Sequence, residues 1–303
     1  MAVIGLLDSP AANPCLAASL MNYRHAFHAG NFADVLKHVV LARILVHLRE
    51  KPAAFRVIDT HAGAGLFDLS GPEASRTGEW KNGIARVRAA APPADIAVLL
   101  APYLKTIAAC NHHNKGGLVS NDYPGSPLIA LHLMRPQDHL TACEIVPSVA
   151  NILADHVGRD ARAKVIVIDG YVALKAYVPP KERRGVVLVD PPFERLDEFS
   201  GLLDAITKAW RKWPTGIYMV WYPLKEKRRV AAFSRELARI VTRKLLRIEL
   251  DIAGDADSLA AAGLFVINPP WRLADELAVL LAWLTPILAR GTGSAHRLNW
   301  VCE

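Results

Sequence analysis

The run Val186-Val187-Leu188-Val189-Asp190-Pro191-Pro192-Phe193 constrains this chain more than any other. Consecutive branched apolar residues need cover on both faces of a sheet, the condition of a central strand in an α/β protein. Two prolines directly after the acid remove backbone N–H donors, so the ladder stops at Asp190. Ligands of open α/β sheets sit at the carboxyl ends of the strands, which puts Asp190 to Phe193 at the mouth of a crevice. These residue types suit a planar exocyclic amine. The Asp190 carboxylate and a proline-pair carbonyl accept its two hydrogens, and Phe193 stacks on the ring. Taken alone, Asp-Pro-Pro also reads as a plain strand-to-loop stop.

Acids recur at the ends of other strand-like runs. Residues 55–59 read as a first strand ending in Asp59, followed by Thr60-His61-Ala62-Gly63-Ala64-Gly65. Glycines there let the backbone approach a cofactor closely, while a third glycine of the pyrophosphate type is missing, which points to a cofactor without pyrophosphate such as S-adenosylmethionine. Residues 139–144 form a strand ending in Glu144, an acceptor for ribose hydroxyls, and residues 164–168 one ending in Asp169-Gly170, with the acid placed for an adenine amine. Four strand-ending acids in order argue against a merely solvated rim.

Between these strands, apolar spacing predicts helices over residues 33–48, 147–157 and 196–210 and a closing helix through Leu284. Further strands are expected at 216–222, 245–252 and 263–267. Residues 66–122 break the strand–helix rhythm and read as a mostly helical insertion, with His112-His113 as a polar loop tip rather than a metal site. Gly125-Ser126-Pro127 predicts a helix start with Ser126 as N-cap and Pro127 at the first helical position. Residues 225–247 combine an apolar helical face with a run of Lys and Arg, either a solvated face or a phosphate-contacting one.

Composition enters at three points. A formal charge of +7 is compatible with a polyanionic partner. The four cysteines are scattered without a Cys-x-x-Cys pair, which argues against zinc or a disulfide framework and fits a reducing cytosol. No apolar run approaches the length of a membrane span. Residues 1–20 lack the basic start of a secretory signal and are expected to form a poorly ordered extension before a domain over residues 21–303.

With these residues assembled, the chain resembles the bacterial 23S ribosomal RNA adenine-N6 methyltransferase family over about residues 21–303. The resemblance rests on Tyr23-Arg24-His25-x-Phe27-His28-Ala29-Gly30-Asn31-x-Ala33-Asp34-Val35-Leu36-Lys37-His38 and on Asp59-Thr60-His61-Ala62-Gly63-Ala64-Gly65. Tyr123-Pro124-Gly125-Ser126-Pro127 and Asp190-Pro191-Pro192-Phe193-Glu194 complete it. It implies a Rossmann-like methyltransferase sheet with a small helical insertion. It also implies S-adenosylmethionine contacts from His38, His61, Ser126, Glu144, Asp169, Gly170 and Asp190, with Asp190 catalytic and Tyr23 meeting the RNA beside Phe193. Phe193 stands where tyrosine often follows Asp-Pro-Pro, a change that keeps the stacking ring.

The resulting expectation is a cytoplasmic, monomeric, metal-independent enzyme acting on adenine N6 of 23S ribosomal RNA, without a membrane partner. Two rivals stay open: a DNA adenine or cytosine amino-methyltransferase with the same pocket, and a non-catalytic RNA-binding protein that keeps the fold.

Overall fold

The fold is that of a computed structural model in which residues 24–111, 120–195, 197–241, 244–255 and 258–302 are described. An eight-stranded sheet forms its centre, in the order β10-β8-β9-β7-β6-β1-β4-β5. The strands are β1 (Arg56–Asp59), β4 (His139–Glu144), β5 (Ala163–Val167), β6 (Gly185–Val189), β7 (Ile217–Pro223), β8 (Leu245–Asp251), β9 (Ala261–Ile267) and β10 (Ala295–Cys302). β7, β6, β1, β4 and β5 run parallel. β9 turns antiparallel between β7 and β8, and β10 closes the edge antiparallel to β8. The chain winds outward from β1 through β4 to β5, then returns to the other side of β1 with β6. β1 is therefore the switch point, where an open sheet leaves a crevice at its carboxyl edge.

β6 is buried at every residue, as its unbroken apolar run requires. Its side chains alternate between the two cores: Val186 and Leu188 pack on one face, Val187 and Val189 on the other. The first face is covered by α1 (Phe32–Arg49), α5 (Ser126–Leu133) and α10 (Leu273–Leu288). The second is covered by α7 (Gly170–Tyr177), α8 (Glu198–Lys212) and α9 (Lys227–Ile240). α6 (Pro147–Val157) follows β4 and carries the chain on to β5.

The segment read as helical holds α2 (Pro72–Thr77), α3 (Ile84–Ala89) and α4 (Ala94–Cys110). Its base is closed by a two-stranded antiparallel ribbon, β2 (Leu66–Asp68) on β3 (Asp122–Pro124). Gly65, at φ +83°, turns the chain into the ribbon, and its carbonyl accepts from the Gly125 N–H at 2.7 Å. Ser126 is not the N-cap expected of it: Gly125 holds that position in extended backbone and the helix begins at Ser126. β10 has no counterpart in the sequence reading. His112-His113 and residues 1–20 lie outside the described residues.

α1 is buried almost throughout, because α4, α5 and α10 pack around it as the sheet does. A helix enclosed in this way must find partners for its polar side chains. Arg43 meets Glu276 of α10 in a bidentate pair at 2.8 and 2.7 Å. Among the described residues no helix is long and apolar enough to cross a membrane.

Candidate active site

The four strand-ending acids line the carboxyl edge: Glu144 and Asp169 on one side of the switch point, Asp59 on it and Asp190 on the other side. On the β4–β5 side, Glu144 accepts from the Gly63 N–H at 3.0 Å and the Val146 N–H at 2.9 Å, one bond per oxygen. Each oxygen keeps a second lone pair. Asp169 caps α7: its Oδ1 accepts from the N–H groups of both Tyr171 and Val172. Gly170 follows because a Cβ there would lie 2.5 Å from the His61 ring and 2.7 Å from the Thr60 carbonyl oxygen.

His61 stands between Asp169 and Asp190. Burial lowers its pKa to about 4 against the opposing pull of those two carboxylates, so the ring is neutral. The Thr60 hydroxyl donates to the Leu188 carbonyl at 2.9 Å, and its oxygen therefore accepts from His61 Nδ1 at 2.8 Å. His61 presents Nε2 as an acceptor. Asp59, at the end of β1, is buried with no cation bound to it among the described residues, and burial pushes its carboxyl up to about 6 against the neighbouring Ser126 hydroxyl.

On the β6 side Asp190 meets a residue that the sequence reading left without a role. The Lys37 ammonium lies 2.6 Å from Asp190 Oδ2 and 2.9 Å from Asp34 Oδ1. Its side chain is 6% exposed against 17% for Asp190. Burial alone would depress the Lys37 pKa, but the two carboxylates outweigh it and the ammonium keeps its proton. Asp34 continues the chain of charges: its Oδ2 contacts His25 Nε2 at 3.0 Å and accepts from the Gly30 N–H at 2.9 Å. Against its burial, His25 and Lys37 hold its carboxyl well below the usual range. The helical period alone placed Asp34 and Lys37 together at the start of α1; nothing in their spacing pointed to Asp190, 153 positions away.

Phe193 sits in the left-handed region at φ +52°, a conformation costing about 1–3 kcal/mol in a residue with a Cβ. Its ring is half-buried, 4.9 Å from Phe199 and 5.8 Å from Trp221 between centroids. The strain at this position turns the chain sharply after the prolines, between the acid and the aromatic cluster.

Above the crevice, residues 24–31 are tied to the insertion. His28 Nδ1 contacts the Glu79 carboxylate at 3.0 Å, the Asn31 amide donates to it at 2.9 Å, and Thr77 Oγ1 donates to the Phe27 carbonyl at 2.5 Å. Asn31 also caps α1 by accepting from Ala33 and Asp34. Tyr23 lies outside the described residues. His38 and Ser126 are both buried close to these groups, His38 beside Lys37 and Ser126 beside Asp59. Among the described residues no three metal-ligating side chains cluster.

Comparison with known proteins agrees with this geometry. The family model described as "Ribosomal RNA large subunit methyltransferase D, RlmJ" matches residues 52–302. The Escherichia coli and Haemophilus influenzae proteins named "Ribosomal RNA large subunit methyltransferase J" are each 40% identical over 285 residues, covering 93% of this chain and 99% of the relative. A Legionella pneumophila protein of known crystal structure superposes with a TM-score of 0.80 at 34% identity, covering 90% of this chain and 98% of its own. A strand-ending Asp-Pro-Pro-Phe at the switch point of a methyltransferase sheet, matched nearly end to end, places this chain in the ribosomal RNA large subunit methyltransferase J family.

Proposed function

We propose that the protein transfers a methyl group from S-adenosylmethionine to N6 of an adenine in 23S ribosomal RNA. The observation that carries the chemistry is the buried Lys37–Asp190 pair at the carboxyl end of β6. The ammonium takes one carboxylate oxygen and leaves the other as an acceptor, which is what an incoming exocyclic amine needs.

The residues at the crevice fit the cofactor. Glu144 retains a lone pair on each oxygen for ribose hydroxyls, and Asp169 Oδ2, without a hydrogen-bond partner among the described residues, is left for an adenine amine. His38 carries a buried ring nitrogen, Nε2, with no partner among the described residues. His61, Ser126 and Gly170 complete the lining. When bound, S-adenosylmethionine supplies an electrophilic methyl group.

The chain's own residues do the rest. The adenine N6 lone pair is delocalised into its ring. Asp190, with a carbonyl of the proline pair, accepts the amine hydrogens and favours a more tetrahedral nitrogen whose lone pair faces the methyl. Lys37 fixes the Asp190 carboxylate by occupying Oδ2, which leaves Oδ1 for the amine. Phe193, backed by Phe199 and Trp221, takes over the stacking that the target base gives up when it leaves its RNA neighbours. Tyr23 is proposed to meet the RNA.

The test incubates the protein with labelled S-adenosylmethionine and total RNA lacking this modification, with DNA in parallel, followed by mass spectrometry of the nucleosides. N6-methyladenosine confined to 23S RNA is expected, with Asp190→Ala lower by roughly 10²-fold or more. Label in DNA overturns the substrate, and near-normal turnover by Asp190→Ala overturns the mechanism.

A further inference from the structure

The insertion reaches the crevice through three buried groups: Tyr103 on α4, Tyr123 on β3 and His38 on α1. The two hydroxyls lie 2.9 Å apart, and that of Tyr123 is 2.7 Å from His38 Nδ1. All three side chains are at most 1% exposed. Each hydroxyl has one hydrogen to give. Among the described residues the Tyr103 hydroxyl has Tyr123 as its hydrogen-bond partner, and the nearby Arg88 guanidinium has no lone pair to offer. Tyr103 therefore donates to Tyr123, and the Tyr123 hydrogen goes to Nδ1 of His38. Either polarity leaves one of the three hydrogens without an acceptor among the described residues: this one leaves it on His38 Nε2, next to the proposed cofactor lining, whereas the opposite one would strand it on Tyr103 within the insertion.

An imidazole that accepts at Nδ1 carries its hydrogen on Nε2. That nitrogen is buried and meets no partner among the described residues. Burial pulls the His38 pKa to about 3, so the ring has one hydrogen and the hydroxyl pair decides where it sits. Two histidines at this edge thus present opposite faces, His61 an acceptor and His38 a donor.

We propose that Tyr103 and Tyr123 are positioning residues that lock His38 as the Nε2–H tautomer, so that this buried N–H receives the carboxylate end of the cofactor's amino-acid moiety. The inference rests on the cofactor reading above. Glu144 and Asp169 end β4 and β5, on the far side of β1 from β6, and draw the ribose and adenine there. The amino-acid moiety is left for the α1 side. There the His38 Nε2–H is a donor, which a carboxylate can accept from and an ammonium, lacking a lone pair, cannot. The relay also gives the insertion a role, since two of its three members belong to it or to the strand that closes it.

The tautomer is read by ¹⁵N NMR of histidine-labelled protein without ligand, with the His38 signals assigned from their loss in His38→Gln. Wild-type His38 is expected to show a protonated Nε2 and a bare Nδ1. Tyr123→Phe is expected to bind S-adenosylhomocysteine about 10- to 100-fold more weakly by calorimetry, the range of one charge-assisted hydrogen bond. Its binding of decarboxylated S-adenosylhomocysteine is expected to change less than about twofold, within the same uncertainty. Tyr103→Phe keeps Tyr123 beside His38 but removes the hydrogen that sets its direction. It is expected to give averaged His38 shifts between the two tautomers, and it serves if Tyr123→Phe does not fold. A protonated Nδ1 in wild type, or equal weakening of both ligands in Tyr123→Phe, overturns the relay. Failure of wild type to bind S-adenosylhomocysteine overturns the cofactor reading and with it the carboxylate assignment.

Discussion

Asp59 and Asp190 end neighbouring strands in different surroundings. Asp190 has the Lys37 ammonium against it, whereas Asp59 binds no cation among the described residues and burial raises its carboxyl to about 6 against the opposing pull of the Ser126 hydroxyl and Lys37. A carboxyl whose folded pKa lies above its unfolded value near 4 contributes stability below that value and loses it as pH rises through about 6. Above that pH the buried charge costs roughly 3 kcal/mol, from a shift of about two units. Asp59→Asn, which keeps an acceptor but does not titrate, should therefore gain on wild type as pH rises. Denaturant midpoints of the ligand-free proteins at pH 4.5 and 7.5 check it; a stability difference that stays constant between them counts against the assignment. The legibility of these two acids from sequence was uneven. Their place at strand ends followed from apolar runs. Their surroundings did not: Asp190 is paired with Lys37, and a lysine on a helix ordinarily faces water. Only the enclosure of α1 by α4, α5 and α10 brings it inside.

The N-terminal arm and the insertion meet at the level of elements. Glu79 gathers His28 and Asn31, and Asn31 in turn caps α1, so one carboxylate ties the arm to the helix that carries Lys37 and His38. The His28–Glu79 contact raises the His28 pKa, chiefly through the hydrogen bond itself. Glu79→Ala is expected to loosen residues 25–31, seen as faster amide exchange there with unchanged exchange in β6, and to raise the KM for RNA more than it lowers kcat. Equal protection of the arm in both proteins would show that Glu79 does not hold it. Most elements were readable: the helices on α1 and α6 and the parallel strands fall within a residue or two of their apolar patterns. β10 was not, because an edge strand covered on one side mixes Arg297 and Asn299 with Leu298 and Trp300 and lacks a continuous apolar run. The β2–β3 ribbon was missed because three-residue strands carry no period.

Charge is distributed over the whole molecule with respect to the crevice. β7 runs parallel to β6, so the chain after Pro223 emerges at the same edge as Asp190. Lys225, Lys227, Arg228 and Arg229 follow there, all exposed, and Lys225 acts electrostatically on His28 of the arm. The apolar stripe of α9, Val230, Phe233 and Leu237, is buried and leaves this cationic face outward. The start of the basic stretch lies at the edge that carries the crevice, the position that the phosphate-contact meaning requires. Lys227→Glu with Arg228→Glu should weaken RNA binding, and the slope of log K against log salt should fall by about one to two. Binding of S-adenosylhomocysteine should stay as it was. An unchanged salt slope would remove this face from the RNA interface.

Local physics in the sequence alone determined the class of this protein: branched apolar runs ending in acids, a glycine turn after the first strand, and two prolines that end β6 at the crevice. These depend on neighbours a few residues apart, and such patterns survive in one dimension. The tertiary structure decided which groups meet across long separations. Lys37 reaches Asp190, Glu79 reaches His28, and Tyr103 and Tyr123 reach His38, each pairing set by how the insertion packs on α1 and the sheet. The physical reason is burial. A polar side chain removed from water must take the partners that packing brings to it, and those partners then set its charge and the position of its hydrogen.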